Sequence, residues 1–291
     1  MTVAALVRMG LLVSIWLIVL SLGARATAAS TVSVLRQPGM LARALAAMFI
    51  AVPAFAVFIA ATTSVPAEIK FAIVAMSVGP APPILPYKQM KAGGEENYAV
   101  GLLIAASLAS MVLTPPLVAA AAHLLHAYAV VSVAKVARTL LLTIGIPLTG
   151  GMVLRALSRR VGEKVSRLAH RAGAFTLLVI FAVMVVTSGS QILSLMRDGA
   201  ALAIAATVVF GLLAGHLFAG GRHRAALALA AATRHPGVAL AIAEMSWPDQ
   251  RKPIMAAVLL YLVITILVSA PYVKWARGQA AALETNSVRR V

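Results

Sequence analysis

The sequence predicts an all-α, polytopic membrane protein that crosses the bilayer about nine times. Hydrophobic residues make up 62% of the chain and charged residues only 11%, whereas a soluble domain carries roughly 25% charged residues. The mean hydropathy is +0.96. Because each crossing needs ~20 residues, the 291 residues hold about nine helices with short loops. This composition excludes a soluble globular domain.

Nine hydrophobic segments follow one another along the chain, and each is long enough to cross a bilayer as a helix. The predicted spans are approximately residues 3–23, 40–62, 68–86, 98–122, 138–157, 173–196, 199–220, 224–245 and 253–274. The first segment has an alternative interpretation. Arg8, the apolar run to Gly23 and the alanine-rich stretch after it are also typical of a cleavable signal peptide.

The basic residues predict the orientation of the chain. The net charge is +17, and 17 of the 25 Lys and Arg residues fall in one set of loops, against 7 in the opposite set. Cytoplasmic loops carry an excess of Lys and Arg, so we expect an inner-membrane protein with its N-terminus outside and its C-terminus in the cytoplasm. The lipid bilayer is therefore an expected partner. Nucleic acid is not, because no basic patch is interleaved with aromatic side chains.

The densest basic stretch runs from Arg155 to Arg171 and contains six Lys or Arg residues and one acid, Glu163. It falls between the fifth and sixth predicted spans. We expect it to form a cytoplasmic connector between two halves of the protein, with its basic side chains near anionic headgroups. A regulatory site is the alternative interpretation.

Two hydrophobic segments are interrupted in the middle. The first, residues 71–84, runs into a series of prolines that begins at Pro80, and the second, residues 225–243, is interrupted by Arg-His-Pro-Gly at positions 234–237. In a bilayer, broken helices persist only where protein or a water-filled cavity surrounds them. One interrupted helix in each half of a polytopic chain is typical of the binding site of a secondary transporter.

Arg234 is the most informative single residue of the second interruption. It lies about ten residues into its span, ~15 Å deep at 1.5 Å per residue, and an arginine at that depth usually faces a partner or a cavity. No acidic residue lies in the middle of another span, which favours an anionic substrate over a carboxylate or backbone carbonyls as its partner. His235 is either a packed histidine or a proton site. Thr233 either lines the cavity or bonds to its own helix.

Further candidate substrate-binding residues lie in the first interruption and the fourth span. Pro80 and Pro83 remove amide donors, which frees carbonyls for water, a cation or a substrate, unless the kink is only structural. Gly237 permits close backbone approach. Ser107, Ser110 and Thr114 share one helical face, which either lines the site or is a packing seam.

No catalytic or metal-binding pattern is present in the sequence. There are no cysteines, which excludes thiolate chemistry and cysteine-bound metals. The six histidines form no metal-binding spacing, and no glycine-rich phosphate loop occurs. We therefore expect no enzyme activity, no metal and no cofactor.

Several short motifs, in order and spacing, resemble a known transporter superfamily. They are Val-Leu-Arg-Gln-Pro at 34–38, Val-Pro-Ala-Glu-Ile at 65–69, Val-Gly-Pro at 78–80 and Arg-His-Pro-Gly-Val-Ala at 234–239. Together they are similar to the bile acid:sodium symporter superfamily, as a divergent bacterial-type member. The resemblance implies inverted five-helix repeats and two crossed broken helices. It also implies a core domain (approximately 40–122 and 199–274) and a panel domain (approximately 3–23 and 138–196), with this chain lacking the first of the family's ten helices.

The resemblance also identifies departures from the family pattern. Leu85 and Pro86 occupy the positions where the family has sodium-binding Ser and Asn. Ala230 occupies the position of a Glu that bridges the family's two sodium sites, and Arg234 occupies that of a Gln. Another family Gln aligns near Met48. A hard cation needs several oxygen ligands, so we do not expect sodium as a ligand, and the guanidinium of Arg234 could take the electrostatic place of the bound cation.

The sequence therefore predicts a secondary transporter or facilitator of a small organic anion, with sodium coupling doubtful and its site between the two broken helices. A non-transporting membrane sensor or binding protein on the same scaffold is the alternative. The sequence assigns neither the substrate nor an oligomeric state.

Overall fold

The computed structural model describes residues 3–27, 32, 34–82, 85–124 and 133–288. Regular secondary structure within these ranges is entirely helical. We number the helices in chain order: α1 Val3–Arg25, α2 Pro38–Thr62, α3 Ala67–Val78, α4 Leu85–Lys91, α5 Glu96–Leu124, α6 Val133–Leu157, α7 Arg159–Arg197, α8 Ala200–Phe218, α9 Arg224–Ala232, α10 Pro236–Ser246 and α11 Arg251–Val288. Helices α2 and α6 each contain a π-helical turn, at Ala47–Ala51 and Leu141–Gly145.

Six of the described helices are long and apolar enough to cross a membrane: α2, α5, α6, α7, α8 and α11. The prediction of an all-helical, multi-pass membrane protein is confirmed. The predicted count of nine also includes α1 and the two interrupted pairs, α3/α4 and α9/α10. That count, the inverted repeats and the division into core and panel stay predictions.

The basic stretch 155–171, counted with the loops in the sequence analysis, is helical except at Ser158; its role as a connector between two halves stays a prediction. Only Ser158 separates α6 from α7, and its hydroxyl accepts a bond from the amide of Val161 as the N-cap of α7. The 39-residue α7 is about 58 Å long, which exceeds the ~30 Å hydrocarbon layer. Its basic first third therefore continues as helix beyond the apolar segment.

Helix α1 packs closely on α6 and α7. A Cβ atom on Gly151 of α6 would lie 2.3 Å from the carbonyl oxygen of Leu20, and one on Gly23 of α1 would lie 2.1 Å from that of Leu148. Only glycine fits at either position, so the two backbones cross in direct contact, as is common in membrane helix pairs.

The interrupted helices lie inside the protein. Every residue from Ala226 to Ala232 of α9 and from Phe71 to Val78 of α3 is buried. Helix α9 crosses α8 so closely that a Cβ on Gly215 would lie 2.5 Å from the Cα of Ala228. Protein therefore surrounds both breaks, which satisfies the condition under which a broken helix is stable in a membrane.

Candidate functional site

The two interruptions meet, and one backbone hydrogen bond joins them. The amide of His235, in the segment between α9 and α10, donates to the carbonyl of Pro80, just after the end of α3, over 2.8 Å. We call this place the crossing: residues 78–80 after α3 and residues 233–235 after α9. The sequence placed Pro80, Thr233 and His235 at the breaks, and the structure brings them together.

Protein donors occupy three successive carbonyls at the first break. The carbonyl of Val78 accepts from the hydroxyl of Thr114 (2.7 Å), that of Gly79 accepts from Nη1 of Arg234 (3.2 Å), and that of Pro80 accepts from the amide of His235. Pro82 and Pro83 have no amide hydrogens, so they cannot act as the helical donors to the carbonyls of Val78 and Gly79. Other elements of the protein do so instead.

Arg234 is almost completely buried, with 1% of its surface exposed. Besides the bond to Gly79, its Nη2 donates to the carbonyl of Met48 over 2.6 Å, and its Cζ lies 5.9 Å from the centre of the Phe49 ring. No carboxylate pairs with it among the described side chains. Gly79 caps the C-terminal, partially negative end of α3, where a cation is favoured. Backbone carbonyls, which the sequence analysis gave as an alternative to an anionic substrate, thus hold the guanidinium.

Four buried polar atoms near the crossing have no hydrogen-bond partner among the described residues. They are Oγ1 of Thr233, Nε of Arg234, Nδ1 of His235 and the hydroxyl of Tyr261 on α11. The Tyr261 hydroxyl and the guanidinium are close enough to interact electrostatically. An unsatisfied buried polar group costs about 1–3 kcal/mol, so this concentration at one place marks the crossing as a site that a polar ligand can complete.

The serines of α5 do not bond to the crossing. Ser107 donates to the carbonyl of Leu103 and Ser110 to that of Ser107, both over 2.7 Å and within the helix. Both hydroxyls can still accept a bond, so their predicted role in lining the site stays a prediction. Of this polar face, Thr114 is the residue that reaches another element.

The other predicted residues have different surroundings. Gly237 lies in the first turn of α10, where a Cβ would lie 2.4 Å from the Cδ1 of Ile15 on α1. Pro83 lies outside the described residues. A small apolar cavity of about 10 Å³ lies beside Pro236, between α1 and α7 on one side and α10 and α11 on the other.

Sequence reasoning placed Thr114 on the polar face of α5 but did not identify its carbonyl partner, and it missed two other contributors to the site, the Met48 carbonyl and Tyr261. Tyr261 carries a sequence signal, since a hydroxyl lies in the middle of the last apolar span. The Met48 carbonyl carries none, because it is a backbone atom. Within the described part of the chain, no three His, Asp or Glu side chains come together as a metal ion would require.

Comparison with known proteins agrees with this architecture. A model of the Sodium Bile acid symporter family matches residues 12–195. The match runs from α1 almost to the end of α7, so it includes the first break, while the second break lies beyond it. No curated protein shows significant similarity to the chain. Because the match covers more than half of the sequence, the chain belongs to the Sodium Bile acid symporter family.

Proposed function

We propose that this protein is a secondary transporter or facilitator that moves a small organic anion across the inner membrane. Membership of a transporter family supports the general class. The observation that carries the anion assignment is Arg234, a buried guanidinium held by two backbone carbonyls, with unpartnered polar atoms on both sequence neighbours.

Arg234 has the capacity to hold a ligand in addition to its protein partners. A guanidinium has five N–H donors, and two of its nitrogens, Nη1 and Nη2, donate to Gly79 and Met48. Backbone carbonyls carry only partial negative charge, so the site keeps a net positive charge that an anion neutralises. Thr233 and His235 supply further polar atoms, and Pro80, Pro83, Gly237, Ser107 and Ser110 complete the proposed lining.

The same geometry supports transport without sodium. The guanidinium fills a place against the C-terminal end of α3, where a bound cation is also favoured, and it already uses the carbonyls of Gly79 and Met48. Buried Leu85, Pro86 and Ala230 add no side-chain oxygen there. A hard cation binds to several oxygen ligands, and calcium, for example, takes six or more. We therefore propose that Arg234 is a fixed substitute for the ion.

Alternating access requires one part of the molecule to move against another. We propose that α1, α6 and α7, which pack on one another, form the panel and that the crossing belongs to the core. The contact between the two beside Pro236 is lined by apolar side chains. At the basic end of the molecule, Arg25 of α1 bonds to Tyr87 of α4 and pairs with Glu96 of α5, so movement of the panel requires these partly exposed polar contacts to break.

One observation favours the alternative, a sensor that binds an anion without moving it. Arg234 and the carbonyls of the first break are already paired, and the guanidinium has 1% exposure. A guanidinium enclosed in this way suits a site that does not open to either side of the membrane.

Thermal-shift screening of the purified protein with mono- and dicarboxylates tests the proposal, followed by uptake of the best carboxylate into proteoliposomes. We expect a rise in melting temperature and saturable uptake, both equal in sodium and in potassium at the same ionic strength. A rise that only sodium produces contradicts the fixed-cation proposal. Binding without uptake favours the sensor.

A further inference from the structure

A second polar cavity lies away from the crossing, on the basic side of the molecule. It has a volume of about 380 Å³ and is formed by the end of α1, α4, the end of α6 and the basic first third of α7. Its chemically important lining residues are Arg25, Tyr87, Arg155, Glu163, Arg167 and Arg171. None of these residues belongs to the crossing. We call this space the basic cavity.

The basic cavity has an excess of positive charge. Its lining contains four arginines and one carboxylate, that of Glu163. One oxygen of Glu163 accepts from both Arg155 (3.3 Å) and Arg159 (3.0 Å), so this carboxylate is already shared. Arg167 and Arg171 form no hydrogen bond or ion pair with the described residues, and both are exposed. Arg171 and Arg167 therefore keep their N–H donors available to an anion, although Arg167 also lies within electrostatic range of Glu163.

Packing holds the wall opposite α7 in place. Nη1 of Arg25 donates to the hydroxyl of Tyr87, Nη2 of Arg25 pairs with Glu96 over 3.1 Å, and the guanidinium lies 5.1 Å from the centre of the Tyr87 ring. The Tyr87 ring lies 5.0 Å from the ring of His170. Because the Tyr87 hydroxyl accepts from Arg25, its own hydrogen remains available to a ligand.

The α7 wall is also fixed to the rest of the protein. The hydroxyl of Ser166, in the lining, donates to the carbonyl of Ser21 on α1 over 3.0 Å. Gly162 lies so close to Arg155 that a Cβ there would be 2.9 Å from the arginine Cα. The two walls are thus held at a defined separation around an open space.

We propose that the basic cavity binds the phosphate group of an organic phosphate. Several guanidiniums facing one space match a ligand with more than one negative charge and several acceptor oxygens. A phosphate monoester offers about −1.5 to −2 charges and three oxygens, and arginine binds it in a bidentate manner. The cavity is larger than a phosphate group, which leaves room for the organic part. The source is either a soluble phosphate ester or the headgroup of an anionic phospholipid, which share this chemistry.

The test uses the full-length purified protein at an ionic strength of about 0.15 M, where long-range screening is constant. Glycerol 3-phosphate is the soluble probe, and its Kd is measured by calorimetry. Nanodiscs of phosphatidylglycerol, compared with phosphatidylcholine, are the lipid probe, and the melting temperature is the readout. We expect the double variant Arg167→Gln/Arg171→Gln to raise the Kd of glycerol 3-phosphate more than tenfold, or to abolish the shift in melting temperature that phosphatidylglycerol causes. Tyr87→Phe is expected to cause a smaller, several-fold loss.

The matched control is Arg160→Gln/Lys164→Gln, which removes the same charge from exposed positions of the same helix that do not line the cavity. It should leave the response unchanged. A response to glycerol 3-phosphate identifies a soluble ester as the source, and a response to phosphatidylglycerol alone identifies the lipid headgroup. The proposal is overturned if neither probe has an effect, or if both double variants lose the response equally, which indicates diffuse charge attraction. None of these outcomes depends on anion binding at the crossing.

Discussion

The two broken helices have opposite chemical roles. The break after α3 presents the carbonyls of Val78, Gly79 and Pro80 as acceptors, and Pro82 and Pro83 cannot donate to the first two of them as a continuing helix would. The break after α9 presents donors, the guanidinium of Arg234 and the amide of His235, and two of those three carbonyls receive their bonds from it. Neither break could be buried alone without unsatisfied backbone groups. The crossing stabilises both.

The two breaks also differ in what they leave unpaired. The three carbonyls of the first break all have protein donors, whereas Thr233, Arg234 and His235 of the second break each keep one unpartnered polar atom. The first break is therefore mainly structural, and we assign ligand contacts mainly to the second. The predictions below test this division, beginning with the largest expected effect.

Arg234→Ala tests the donor role of the second break. Depth alone suggests that removing a buried charge relieves its cost, but two buried carbonyls then lose their donors, at about 1–3 kcal/mol each. We expect a net loss of about 2–4 kcal/mol in the free energy of unfolding, together with loss of anion binding. Arg234→Lys should retain only part of the stability and part of the anion binding, because an ammonium keeps the charge but lacks the planar guanidinium.

Arg224→Ala is the matched control, since Arg224 is exposed at the start of α9, the helix that leads into the second break, and exposed substitutions usually change stability by less than about 0.5 kcal/mol. Thermal or denaturant unfolding in detergent compares the variants. Equal stability of the two alanine variants would show that the crossing does not depend on Arg234.

Gly215→Ala tests whether the second break needs its close contact with α8. The added Cβ would lie 2.5 Å from the Cα of Ala228 and from the carbonyl oxygen of Leu227, so α9 must shift. We expect a loss of about 1–3 kcal/mol, as for overpacking, and weaker anion binding. Gly278→Ala is the control, since no atom lies within 4 Å of its Cβ; it should be neutral or stabilising by about 0.5–1 kcal/mol. Similar melting temperatures for both variants would contradict this packing.

Thr114→Val tests the structural role of the first break. Valine keeps the shape but leaves the buried Val78 carbonyl without its donor, so we expect a loss of about 1–2 kcal/mol and little change in ligand affinity. Thr207→Val is the matched control: Thr207 is equally buried, but its hydroxyl bonds to Ala203 within its own helix. A large loss of ligand affinity with unchanged stability in Thr114→Val would show that the first break is part of the ligand site.

Tyr261→Phe has the smallest expected effect on stability. Its hydroxyl is buried without a partner, so removing it should leave the melting temperature unchanged or slightly higher. If the ligand completes the crossing, its affinity should fall several-fold, by the ~0.5–1.5 kcal/mol of one hydrogen bond. Tyr98→Phe removes a comparable unpartnered hydroxyl elsewhere and should leave affinity unchanged. A fall in stability for Tyr261→Phe would indicate a protein partner.

Local chemistry made the breaks predictable from the sequence, but their partners depend on the fold. Prolines lack amides and a buried arginine needs a partner, so Pro80 and Arg234 stand out without a structure. The carbonyls that hold Arg234 belong to residues 155 and 186 positions earlier and follow no side-chain pattern. The start of α7 was missed for another reason. A basic stretch resembles a loop by hydropathy, but a polar composition does not end a helix. The helical structure is interrupted only at Ser158.

Uptake of the best-binding carboxylate into proteoliposomes tests the central claim most directly. The parent and Arg234→Gln are compared in sodium and in potassium, and folding of both is verified by their melting temperatures. The account predicts equal uptake by the parent in the two salts and none by Arg234→Gln. Uptake that requires sodium, or that survives in Arg234→Gln at the rate of the parent, would contradict the assignment of Arg234 as the fixed cation that binds the anion.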